Sequence, residues 1–130
     1  MIKRSFQLAM ITSVALALAV PAPAVDLPYI SGGIGSAERE DLAAKERDYN
    51  VKIVTAMKTG EYLSGVVVVI ESASTQPMLE TTMAGPILLA KLPPGSYTIK
   101  ATAGGTTLTR TVTTEAQGLK QVDFRWDDVR

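Results

Sequence analysis

Leu92-Pro93-Pro94-Gly95-Ser96-Tyr97-Thr98-Ile99-Lys100-Ala101-Thr102-Ala103 runs into Gly104-Gly105 and then into a second alternating run, Thr106 to Thr113. This is a turn, a strand, a two-residue hairpin loop and a returning strand. Proline sets φ in the turn, and glycine supplies the backbone freedom that a tight hairpin needs. A two-residue loop sets Ala103 against Thr106, Ala101 against Leu108, Ile99 against Arg110 and Tyr97 against Val112. The opposite face then sets Thr102, Lys100 and Thr98 against Thr107, Thr109 and Thr111. One face is mostly apolar and the other wholly polar. A slip of one residue would mix both faces, so the register is fixed.

Working outward, the period of two begins at Asn50. Val51 and Ile53 alternate with Lys52 in a run that ends at Met57, and Lys58-Thr59-Gly60-Glu61 turns the chain. Gly65 to Ile70 is a continuous apolar run, β-branched from Val66 onward, expected as a central strand buried on both faces. Met78 to Met83 and Ile87 to Lys91 are two shorter strands on either side of Ala84-Gly85-Pro86. In the last strand, Leu119 to Trp126, the residues Val122, Phe124 and Trp126 share one face, and Gln121, Asp123 and Arg125 the other. Phe124 and Trp126 are expected in the core, tying down the chain end. Seven antiparallel strands with frequent turns point to a β-sandwich over residues 50–130.

Arg110 is the one charge on the inward face of its strand. It is read as a rim position, stem packed and guanidinium in water. The alternative is a buried pair with Glu71 or Glu80.

Residues 25–49 form an entry segment and a short helix. Ser31-Gly32-Gly33-Ile34-Gly35 has the look of a phosphate loop but lacks the Gly-Lys-Ser/Thr ending. It is read as an irregular, backbone-exposed loop. Ala37 to Tyr49 is the expected helix, with Ser36 as its cap and Glu38, Glu40 and Asp41 at its positive end. Asp41 and Lys45 stand at a supportive i,i+4 spacing. Its apolar face is thin, chiefly Leu42, so the helix should lie on the surface or bridge to a partner. The acidic cluster 38–41 is read as a solvated helix start rather than a cation site.

Residues 1–24 read as a secretory signal. Lys3 and Arg4 precede the apolar run Phe6 to Val20, and Pro21-Ala22-Pro23-Ala24 places small residues before a cleavage between Ala24 and Val25. The apolar run is shorter than the roughly 20 residues of a membrane span, so no stable membrane insertion is expected after cleavage. The chain has 13 basic and 13 acidic residues, and losing Lys3 and Arg4 would leave a net charge of about −2. That balance offers no field for nucleic acid. Some 106 residues would remain, enough for one core held by packing alone, since the chain has no cysteine.

With neither His nor Cys, the chain cannot supply an imidazole base, a thiol nucleophile or the nitrogen and sulfur ligands of a zinc or copper site. No catalytic residue, metal or cofactor is assigned, and an enzyme is not expected.

The Gly65-Val66-Val67-Val68 strand entry, the Gly85 turn before an apolar strand and above all Leu92-Pro93-Pro94-Gly95-Ser96-Tyr97-Thr98-Ile99 carry a resemblance. Over residues 50–126 the chain resembles a transthyretin-like or carboxypeptidase regulatory-like domain. With Tyr29-Ile30-Ser31-Gly32-Gly33-Ile34-Gly35 and the acidic helix, it is also similar to small exported proteins of Gram-negative bacteria that carry such a domain. That likeness implies a periplasmic location and no known activity. The hydroxyisourate hydrolases of this fold depend on histidines, which the chain lacks. Adhesin domains of similar fold form an autocatalytic Lys–Asn or Lys–Asp bond. Here Asn50 lies at the wrong end of the chain, while Lys52 and Asp123, with Glu80, have the right types and order but point outward. Such chemistry needs a desolvated lysine.

The expectation is therefore a non-catalytic periplasmic interaction or structural module. It would meet another envelope protein through the glycine loop, the helix or an exposed strand edge. The alternative is a small-ligand or carbohydrate binder using Tyr29, Tyr62 or Trp126, which would require a pocket.

Overall fold

The computed structural model describes residues 27–127. The proposed signal and its cleavage point lie outside the described residues. The elements in chain order are β1 (Tyr29–Gly32), α1 (Ser36–Lys45), a 3-10 turn (Glu46–Asp48), β2 (Val51–Met57), β3 (Val67–Ser72), β4 (Pro77–Thr82), β5 (Ile87–Ala90), β6 (Gly95–Ala103), β7 (Thr106–Thr114) and β8 (Lys120–Trp126). They form two four-stranded sheets, β1-β5-β2-β8 and β4-β3-β6-β7. One apolar cluster joins them: Val51, Ile53, Leu88, Phe124 and Trp126 from the first sheet meet Val68, Ile70, Tyr97 and Ile99 from the second.

The hairpin has the register expected from its loop, Ala103 opposite Thr106 through Tyr97 opposite Val112. Gly104 and Gly105 both take positive φ, 57° and 81°, as a two-residue turn that matches the strand twist requires. Phe124 is fully buried and Trp126 is 2% exposed. Their rings stack at 6.1 Å, and the Trp126 indole N–H donates to the Thr106 carbonyl at 3.1 Å. The last strand is thus tied to both layers.

Several expectations need correction. There are eight strands among the described residues, not seven, and the additional one is β1. Four residues beside Pro28 and a glycine run carry no strand signal of their own; pairing with β5, Tyr29 opposite Ala90 through Gly32 opposite Ile87, makes them one. The pairing is not wholly antiparallel either, because β2 and β8 run parallel from Val51–Lys120 to Met57–Trp126. Central strand β3 is not buried on both faces. Val68 and Ile70 are fully buried, but Val67 is 39% exposed and Val69 only half-buried. Among the described residues no element packs over the outer face of this sheet, so β-branched shape favours the strand there without burial.

The strand buried on both faces is β5, Ile87 to Ala90. Leu42 of α1 covers Ile87 and Leu89 from outside, with Ile30 and Tyr49 packed around them. The helix therefore lies on the first sheet, and it ends at Lys45, short of Tyr49. Its cap residue is Gly35, not Ser36, and no side chain caps it. The Glu38 carboxylate closes the turn instead.

Gly85 makes the crossing from β4 to β5 possible. A Cβ there would stand 2.3 Å from the Gly32 carbonyl oxygen, so only glycine lets the crossing pass against β1. The Ser31 hydroxyl accepts from the Ala84 N–H at 2.9 Å, and the Tyr29 hydroxyl donates to Thr81 Oγ1 at 3.2 Å. These bonds close the β1/β4 side of the molecule.

Candidate functional site

The backbone donors of the glycine loop are already engaged. Glu38 Oε1 accepts from the N–H of Gly33 at 2.7 Å and of Ile34 at 3.1 Å. Arg39 donates to the Gly33 carbonyl at 3.1 Å. The donors that a phosphate would use are held by the chain's own carboxylate. In the rest of the acidic cluster, Asp41 pairs with Lys45 at 3.0 Å. Among the described residues no three His, Cys, Asp or Glu side chains gather where they could hold a metal.

Tyr29, Tyr62 and Trp126 do not form one platform. Tyr29 lies on β1 near Ala90, and Tyr62 bridges to Ala56 at the other end of the sheet. Tyr62 is exposed, with the Arg39 guanidinium 5.2 Å from its ring centroid, whereas Trp126 is interior. Lys52 is bound to Glu46 at 2.7 Å on the outer face of the first sheet, where its register partner is Gln121. Asp123 stands opposite Val54 and accepts from Gln121, and Glu80 lies on β4 in the other sheet. The Lys52, Asp123 and Glu80 side chains are thus not assembled for bond formation. Asn50 is a structural anchor. It is 1% exposed, and its amide bonds the carbonyls of Leu92 and Glu115 and the N–H of Leu92 at 2.7–3.0 Å.

Among the described residues, the side opposite β1 and β4 is open, where β7 and β8 end the two sheets. A groove of about 410 Å³ runs between them, lined by residues 110–113 of β7 and 120–123 of β8. Val112 and Val122 are its apolar members; the rest is Arg, Thr, Lys, Gln and Asp. Arg110 is exposed here and pairs with neither Glu71 nor Glu80. Its guanidinium lies 5.6 Å from the Phe124 ring centroid and donates to the Thr109 carbonyl at 3.0 Å. Glu71 is taken by Lys100 at 3.3 Å. The rim reading of Arg110 is the correct one.

The edge of β7 has a definite phase. Ala103 and Thr106 flank the two-residue loop, so they form a hydrogen-bonded pair, and the even-numbered residues of β7 turn their backbone groups to β6. Thr107, Thr109, Thr111 and Thr113 then point theirs away. The side chains agree, since non-hydrogen-bonded pairs stand closer: Thr102 and Thr107 hydroxyls meet at 2.7 Å, and those of Ser96 and Thr113 at 3.3 Å.

The other edges are guarded. β1 is four residues long, β4 begins at Pro77 beside an irregular register at Ile70/Glu71, and β8 exposes Lys120, Asp123 and Arg125. β7 is nine residues long and has no proline and one charge. A long, unguarded edge is a template for another strand. No protein-family model matches this chain, and no curated protein matches its sequence.

Proposed function

We propose that this chain is an exported, non-catalytic interaction module of the periplasm that docks extended backbone along the β7 edge. The observation carrying the reading is the nine-residue edge with four outward-facing threonine backbones beside an open, mostly polar groove. Strand addition draws affinity from main-chain hydrogen bonds and asks little of the side chains. It suits a chain without histidine or cysteine. A groove this open and polar gives a small ligand little to be enclosed by. Export rests on residues 1–24, and among the described residues no helix is long and apolar enough to cross a membrane.

On this reading residues 50–126 are a transthyretin-like or carboxypeptidase regulatory-like unit. The wiring of the Leu92–Gly95 turn supports that. The Tyr97 hydroxyl donates back to the Pro93 carbonyl at 2.6 Å, and the Thr114 hydroxyl donates to the same oxygen at 2.8 Å and accepts from the Gly95 N–H at 3.1 Å.

Affinity capture from envelope extracts tests the proposal. A protein retained stoichiometrically by the wild type and lost by Thr111→Pro is the expected result. Proline there removes only an outward N–H and leaves the β6 ladder whole. Equal retention by both forms, or retention of a small molecule alone, would contradict it.

A further inference from the structure

Building on the reading that β7 docks extended backbone, we propose that its occupant is the β7 edge of a second copy of this chain. The two would run antiparallel about a two-fold axis at Arg110. The residues of the edge are Thr106-Thr107-Leu108-Thr109-Arg110-Thr111-Val112-Thr113-Thr114. Read in either direction the chemistry is the same, with leucine exchanged for valine. An antiparallel two-fold contact sets each residue against its mirror position, so the strand is its own complement.

Phase and faces agree with that register. Thr107 meets Thr113 and Thr109 meets Thr111, all four with outward backbone groups, so these become the hydrogen-bonded pairs. Leu108 meets Val112 in the close, non-hydrogen-bonded positions, on the inner face where both are only half-buried at present. Threonine–threonine and aliphatic cross-strand pairs are favourable. One unfavourable pair stands at the centre, Arg110 facing Arg110 of the second copy. To let the partner in, each guanidinium must also release the Thr109 carbonyl, an exposed contact.

The central pair makes the association weak and gives it a distinctive salt response. Between about 0.01 M and 1 M salt the screening length falls from about 30 Å to about 3 Å. Screening relieves the facing arginines, so added salt tightens this contact. An acidic partner strand bound opposite Arg110 would be weakened instead.

Sedimentation equilibrium of the exported chain over roughly 10 μM to 1 mM, at low and high salt, tests the inference. Expected is a monomer–dimer equilibrium that tightens by roughly two- to fivefold with salt, the size of one facing like-charge pair. Arg110→Thr should match the high-salt dimer at low salt, and Thr111→Pro should remain monomeric. A second pair of variants covers the case in which the proline variant fails to fold. Thr109→Glu with Thr111→Glu should abolish self-association, as should the corresponding double lysine variant, and mixing the two should restore a dimer. Monomers at every concentration and salt, or dimers indifferent to all these changes, would overturn the inference. If the chain is monomeric but Thr111→Pro still loses a captured envelope protein, only the second copy is refuted. If Thr111→Pro alters neither association nor capture, the docking reading falls too.

Discussion

At the start of β2, the buried Asn50 amide joins the turn before β6 to the connection after β7. Asn50→Ala would leave the Leu92 N–H and two carbonyls without partners in the interior, and should cost about 3 kcal/mol in urea unfolding. Asn50→Asp should cost more at neutral pH, since a carboxylate would face the Leu92 and Glu115 carbonyls with nothing to donate. Nothing in the sequence distinguishes this asparagine from a turn residue at the head of a strand, because its partners lie 42 and 65 positions away.

Tyr97 belongs to the same turn. Burial pushes its hydroxyl pKa above the usual 10, because the phenolate would lose solvation. The folded state therefore holds this proton more tightly than the unfolded chain. Its contribution is complete below pH 10 and is lost as pH rises through the folded value. Tyr97→Phe should remove that alkaline decline and lower stability near neutrality by about 1 kcal/mol, the net worth of one hydrogen bond. Arg110→Leu should change stability by less than about 1 kcal/mol, since it breaks an exposed cation–π contact and no ion pair.

Among the elements, the β6–β7 hairpin is fully legible in the amino-acid sequence. A Gly-Gly loop and a strict alternation leave one register, and both signals are local. The burial of β3 is not legible, because Val66 to Ile70 suits a strand whichever way its side chains face. Whether a face is covered depends on where α1 docks. β1 is hidden for a related reason, since its existence depends on β5 and on the close approach of Gly85 to Gly32. Gly85→Ala should cost about 2–3 kcal/mol, the penalty of overpacking against backbone, and should raise amide exchange in β1 more than in β6. The α1 entry makes a separate prediction. Glu38→Ala strips the acceptor from the Gly33 and Ile34 N–H groups. Exchange at those two amides should accelerate while the core amides stay unchanged; faster exchange throughout would show that the loop supports the whole sheet.

On the scale of the whole molecule, the two sheets differ in how they end. One side is closed by the Tyr29 and Ser31 contacts onto β4 and the chain that follows it, and the other is left as the groove between β7 and β8. The threonine alternation that marks the edge is plain in the sequence, and a strand edge is among the docking features it leads one to expect. Which strand stands last in its sheet is not legible there, because strand order is set by crossings such as the parallel β2–β8 pairing. The closed loop at Glu38 and the buried Trp126 leave β7 as the feature on which the proposed role rests.

Residue-resolved amide exchange along β7 in dilute solution tests that feature most directly. Slow exchange is expected at Leu108, Arg110, Val112 and Thr114 and fast exchange at Thr107, Thr109, Thr111 and Thr113, with these four threonines slowing once the edge is occupied. Uniform rates along the strand, or the same alternation in the opposite phase, would contradict it.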